Sequence, residues 1–199
     1  WRYSQRDFRA GEYHEFVSSR AAKMKSVASS LRMTGTDRRS NQGAVWDAVS
    51  MKCADFEAAA PTGAMDDAYK AARPSLDEYL KHMRLKPNQV GMAVAIDGKT
   101  AGVEFFESAT VFSQFFDKLM RAYAAEVVLE NRIATVVPDK EALKHLLFRI
   151  SRARCEDYDA IGGGREIRFE LGGLNGSALE VNDHLLHFVL LRGRRRMRH

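Results

Sequence analysis

Few residues in this chain have the types and spacing to do chemistry. Glu104 is one. It lies in Lys99-Thr100-Ala101-Gly102-Val103-Glu104-Phe105, which reads as the second strand of a hairpin with Val90–Ile96. Asp97-Gly98 between two apolar runs marks a type I′ turn, since both turn positions need positive φ. A two-residue loop sets Ile96 opposite Lys99, Val94 opposite Ala101, Met92 opposite Val103 and Val90 opposite Phe105. That face is apolar and is expected to be core. The other carries Gly91, Ala93 and Ala95 across from Glu104, Gly102 and Thr100. Small residues let something approach the backbone, either a packed helix or a ligand with Glu104 as its carboxylate.

His187 is the second candidate. A tight turn at Asn182-Asp183 places it opposite Ala178, with Glu180 diagonal on the same face. A His–Glu pair there, or Glu104 alone, would suit acid–base hydrolysis, and a structural histidine is the competing reading. The third candidate is an anion site. Arg38, Arg39 and Gln42 stand at the expected start of a helix capped by Ser40 or Asn41, where free N–H groups and the dipole favour anions. Arginine adds bidentate donors. Trp46 offers a flat apolar surface, and Thr62 caps the start of another helix. Together they suit a phosphate attached to a ring. Alternatively, Trp46 is core and the arginines pair with carboxylates. Cys53 and Cys155 lack metal-ligand spacing and read as free thiols of a reducing, cytoplasmic setting, with one disulfide between them as the alternative. Gly162-Gly163-Gly164 lacks the spacing of a phosphate loop. No metal and no cofactor is expected.

These groups need elements to hold them. Val17, Ala21, Met24, Val27, Ala28 and Leu31 follow helical spacing, and Gly35 ends that helix. A helix with Val45, Trp46, Val49, Cys53 and Phe56 inside follows, then a short one with Met65, Ala68, Tyr69 and Ala72. Pro74 is expected to interrupt it. Ser75-Leu76-Asp77-Glu78 reads as a capping box opening the next helix. Ser108 caps a helix whose stripe is Phe112, Phe115, Phe116, Leu119, Met120, Tyr123 and Val127, with Asp117, Lys118, Arg121 and Glu126 expected on its solvated side. Another helix follows Pro138. Arg165–Leu191 reads as a three-stranded meander. The predicted fold is therefore α+β, an antiparallel sheet of about five strands from two hairpin or meander units, packed with several amphipathic helices.

The chain has 199 residues, enough for one domain, and a net charge of +5. Residues 1–191 are expected to form it, residues 1–86 mainly helical and 87–191 carrying the hairpin, two helices and the meander. The charge is local, because Arg192, Arg194, Arg195, Arg196 and Arg198 crowd the end as a basic tail over 192–199. Without them 26 basic side chains face 26 acidic ones, so nucleic-acid contact is expected only through this tail. No apolar run approaches membrane-spanning length, and no membrane association is expected.

Taken together, Trp1-Arg2-Tyr3, Arg39-Ser40-Asn41-Gln42-Gly43 with Val45-Trp46, Pro61-Thr62-Gly63-Ala64 with Asp67-Ala68-Tyr69, Gln89-Val90-Gly91 and His187 occur in an order that resembles a known family. It is the ARG (ADP-ribosylglycohydrolase) and rhodanese-phosphatase-superfamily-associated protein domain family, a domain of unknown function. The resemblance runs from Trp1 to about Leu191. It implies a longer protein with a β-rich segment ahead of Trp1, and a neighbourhood in ADP-ribose or nucleotide chemistry. Two features depart from the family pattern: Glu104 stands where Asp is expected, and the chain ends in arginines. The expected function is a binding or accessory module for a phosphorylated small molecule, or one that works with a protein partner. A hydrolase is the alternative.

Overall fold

The computed structural model describes residues 16–41, 43, 65–129 and 140–193. Among these, four helices and six strands form an α+β arrangement around one open antiparallel sheet. In chain order they are α1 (Val17–Thr34), α2 (Met65–Leu80), β1 (Gly91–Ile96), β2 (Lys99–Phe106), α3 (Ala109–Leu129), α4 (Lys140–Ser151), β3 (Cys155–Asp159), β4 (Arg165–Leu171), β5 (Leu174–Val181) and β6 (His184–Arg192). The spatial order is β1-β2-β6-β5-β4-β3. A hairpin and a four-strand meander thus join where the last strand docks on β2.

The turns follow the residue chemistry. Asp97 and Gly98 take φ of 51° and 69°, and Asn182 and Asp183 take 50° and 62°. Asp and Asn tolerate this left-handed region better than most non-glycine residues. The registers differ from the expected ones by one residue. In the first hairpin Ile96 faces Lys99, but a bulge between Val94 and Ala95 sets Val94 opposite Gly102 and Met92 opposite Glu104. One extra residue on β2 turns every later side chain to the other face. Glu104 therefore does not sit on the small-residue face with Gly91. In the meander, a shift between Leu179 and Glu180 pairs His187 with Leu179 instead of Ala178.

β3 was not expected. Cys155-Glu156-Asp157-Tyr158-Asp159 is so polar that it resembles a loop, yet it pairs antiparallel with β4 along its whole length. The turn between them holds Gly162, Gly163 and Gly164, all at positive φ, so the triple glycine is a hairpin connection.

α1 spans the expected residues. Gly35 closes it at φ 75°, with its N–H on the Leu31 carbonyl at 2.7 Å. α2 continues through Pro74 where an interruption was expected. Tyr69, Ala72 and Leu76 form one buried stripe across the proline, packed with Phe16, Ala124 and Ala125. That burial offsets the lost hydrogen bond. α3 lies between α2 and the sheet. Its Ala124 and Ala125 meet α2, while Ala122, Tyr123 and Val127 join Val17, Ala21, Ile96, Val189 and Leu191. α4 covers the opposite face through Leu146, clustered with Val103, Phe169, Leu174 and Leu190. β6 runs through Arg192, whose Nε donates to the Thr100 carbonyl at 2.5 Å. One arginine of the stretch read as tail thus belongs to the sheet. No helix among the described residues is long and apolar enough to cross a membrane.

Candidate functional site

The corrected registers set the site. Glu104 pairs with Val189 and Phe106 with His187 across β2 and β6. Alternation then puts Gly102, Glu104, Phe106, His187, Val189 and Leu191 on the face under α1 and α3. The close visitor to the small residues is a helix side chain. A Cβ at Gly102 would collide with the hydroxyl and ring of Tyr123 from α3.

Glu104 is 1% exposed. Arg20 of α1 grips it with both ends of its fork, Nη1 to Oε1 at 2.6 Å and Nη2 to Oε2 at 3.0 Å. The Tyr123 hydroxyl donates to Oε1 at 3.2 Å. Burial by itself raises the Glu104 carboxyl, but the Arg20 charge, with His187 and the hydrogen bonds, outweighs it and lowers the group to about 2. Tyr123 is pushed well above its ordinary range, first by burial and then by the Glu104 charge. His187 Nε2 lies 3.9 Å from Glu104 Oε2, beyond hydrogen-bond length. That nitrogen is buried and has no hydrogen-bond partner among the described residues, although the side chain as a whole is 37% exposed. The imidazole packs on Phe106 with centroids 4.7 Å apart.

Beside this cluster Glu126 of α3 accepts the Ser18 N–H at 2.8 Å. Glu126 was expected in solvent, yet it is 7% exposed. It caps α1 from another helix where Phe16, at the N-cap, makes no side-chain cap bond.

The structure brings together two residues singled out separately, Glu104 and His187, and supplies Glu104 with partners not singled out as such. Arg20 carried a readable signal. It falls within the arc of Val17, Ala21 and Met24, and a charge inside an apolar helical stripe calls for a buried partner. Glu180 does not join His187. Its carboxylate takes Arg165 Nη2 at 2.6 Å.

The arginine loop lies elsewhere. Arg20 and Thr34 are fourteen residues apart on α1, roughly 20 Å of helix, so Arg38 and Glu104 share no site. Arg38 Nε donates to Glu166 at 2.7 Å, Nη1 to the Thr36 carbonyl at 3.0 Å, and Nη2 to the Asp159 carbonyl. Its donors thus hold the loop to β3 and β4. Arg168 joins from β4, with Nε on Glu166 at 2.6 Å. Arg39 differs: its side chain is 89% exposed and pairs with Asp37 at 3.0 Å. Gln42, Trp46 and Thr62, and Cys53 with them, lie outside the described residues. Cys155 is an exposed free thiol, raised by partial burial and by Asp157, which disfavours the thiolate. Among the described residues no cluster of His, Cys, Asp and Glu has the form of a metal site.

Chemically, the Arg20 charge and the hydrogen bonds to its carboxylate favour the ionised form of Glu104. It ties β2 to α1 and α3.

Searches of curated proteins and of solved structures return no match. The ARG and Rhodanese-Phosphatase-superfamily-associated Protein domain model matches residues 1–191, the same span the sequence motifs cover, and the function of that domain is unknown. The chain therefore belongs to the ARG and Rhodanese-Phosphatase-superfamily-associated Protein domain family.

Proposed function

We propose that this chain is a binding or accessory module, without hydrolytic activity of its own, that serves ADP-ribose or related phosphorylated-nucleotide chemistry. The observation that carries the reading is the state of Glu104. The buried carboxylate best placed for acid–base work is clamped by Arg20 and lowered to about 2, which fits a structural tie and not a proton carrier. The link to ADP-ribose chemistry rests on the family's association with ADP-ribosylglycohydrolases. Arg39 is the favoured anion contact, because its guanidinium is exposed and, among the described residues, held only by Asp37 of its own loop. Gln42, Trp46 and Thr62 complete the proposed contact set.

Titration calorimetry with ADP-ribose, ADP and inorganic phosphate, run beside a hydrolysis assay on the same samples, tests this. Binding without turnover is expected, with Arg39→Ala weaker by about 1.5–3 kcal/mol for a lost charge-assisted bond. Equal binding by Arg39→Ala and wild type would remove Arg39 from the site. Turnover would remove the non-catalytic reading.

One observation favours a second reading. His187 is partly exposed, and its Nε2 faces the Glu104 carboxylate at 3.9 Å. A buried carboxylate behind an accessible imidazole can steady a general base. In that case turnover is lost in His187→Gln while the melting temperature stays unchanged.

A further inference from the structure

The inward stripe of α4 is Leu143, Leu146 and Ile150, which with Ala153 just beyond the helix belong to the cluster that includes Val103, Phe169 and Leu190. Leu147 and Phe148 lie off that stripe and remain 52% and 55% exposed. Met33, Leu85, Ile161 and Leu185 are exposed one at a time, whereas Leu147 and Phe148 are adjacent and make a patch.

The charge around this patch is one-sided. From Lys140 to Arg154 there are five Lys and Arg side chains and one carboxylate, Glu141, which is taken by Lys144 at 2.6 Å. Several other arginines are neutralised: Arg20 by Glu104, Arg32 by Glu156 and Glu170, Arg38 by Glu166, Arg165 by Glu180. Among the described residues, Arg149, Arg152 and Arg154 have no carboxylate partner. Arg152 instead sits over the Phe148 ring at 4.5 Å, a cation–π contact that leaves its charge uncompensated.

We propose that the outer face of α4 is a docking surface for an acidic amphipathic segment of a partner protein. Apolar side chains of that segment cover Leu147 and Phe148, and its carboxylates meet Lys144, Arg149, Arg152 and Arg154. An apolar centre with a charged rim, rich in Phe and Arg, is the anatomy of a protein interface. The patch suits a short segment laid along a helix better than the broad surface of a second domain. A second copy of this face is excluded by like charge. Nucleic acid fits less well, because an aliphatic Leu147 gains nothing against phosphates and Arg152 already covers one face of Phe148. An anionic membrane would find, among the described residues of this face, only Leu147 and Phe148 to bury.

The test is a fluorescence-anisotropy titration of the full chain against four labelled probes. They are a helical peptide with a Leu/Phe stripe flanked by glutamates, the same peptide with lysines for glutamates, a single-stranded oligonucleotide, and vesicles containing phosphatidylserine. Expected is binding of the glutamate peptide and not of the lysine peptide. That affinity should fall about tenfold or more in Leu147→Ser/Phe148→Ser and in Arg152→Glu/Arg154→Glu. Both variants change exposed side chains, and unchanged melting curves would show that the fold is kept. Failure to bind the glutamate peptide, equal binding of both peptides, affinity untouched by the variants, or tighter binding of the oligonucleotide or the vesicles would each overturn the proposal.

Discussion

Arg20→Met takes away the cation that keeps Glu104 charged inside the fold. Arg20 is 13% exposed and the Glu104 side chain 0%, so water cannot replace the guanidinium without opening α1. Two routes give the size of the loss. Lowering the carboxyl from 4.5 to about 2 corresponds to about 3 kcal/mol of preference for the ionised form in the fold. Removing one member of a buried pair costs about 3–5 kcal/mol. The two agree, and either is a large part of a typical domain stability of about 5–15 kcal/mol. Urea unfolding followed by circular dichroism would measure it. A double variant, Arg20→Met/Glu104→Leu, should recover most of the loss, since apolar residues replace a buried pair at little cost. The pH dependence should also reverse. In the wild type the folded carboxyl titrates below the unfolded one, so its contribution is present above about 4.5 and is lost as pH falls toward about 2. In Arg20→Met the largest remaining influence is burial, which raises the carboxyl, so that variant should regain stability as pH falls. An Arg20→Met loss below about 1 kcal/mol, or a double variant less stable than the single one, would refute the buried-pair reasoning.

Four other substitutions probe separate parts of the fold. Gly102→Ala drives a methyl group into Tyr123 and should cost about 1–3 kcal/mol, seen as a lower melting temperature; an unchanged value would mean α3 is not seated on β2 as described. Pro74 is exposed within the continuous α2, so Pro74→Ala should stabilise by about 1–3 kcal/mol, and a destabilised variant in thermal unfolding would place a break at that position. Arg32→Ala should cost no more than about 1 kcal/mol, because Arg32 is 39% exposed and screened by water. Arg38→Ala should cost more in the same urea series, since Arg38 and Glu166 are 16% and 11% exposed and Arg38 holds three partners; equal losses would contradict the assignment of Arg38 to the structure.

The parts of the fold legible in the sequence are those with strong local chemistry. Asp97-Gly98 and Asn182-Asp183 announce their turns, Gly35 announces the end of α1, and the phenylalanine stripe announces α3. Departures come where tertiary contacts outweigh local signals. A bulge has no residue signature of its own here, so both registers slip by one, and with them the face on which Glu104 lies. β3 hides because its residues are charged and serve ion pairs: Glu156 takes Arg32 and Asp157 lies near Arg165. Pro74 is carried by the buried Tyr69, Ala72 and Leu76 stripe. The site was half legible. Glu104 and His187 stand out as isolated polar groups in apolar strands. Their meeting depends on β6 docking on β2, a pairing of residues more than eighty positions apart that no local pattern encodes.

The most direct measurement is the pH titration of the Glu104 side-chain carboxyl by carbon-13 NMR in the folded chain, assigned with Glu104→Gln. The expected result is a resonance that stays ionised through the neutral and mildly acidic range and moves only as pH approaches about 2, as befits a carboxylate clamped by Arg20 that ties the sheet to its helices. A midpoint at or above the ordinary glutamate value of 4.5 would contradict this. It would make Glu104 an acid–base group and turn the reading from a binding module to an enzyme.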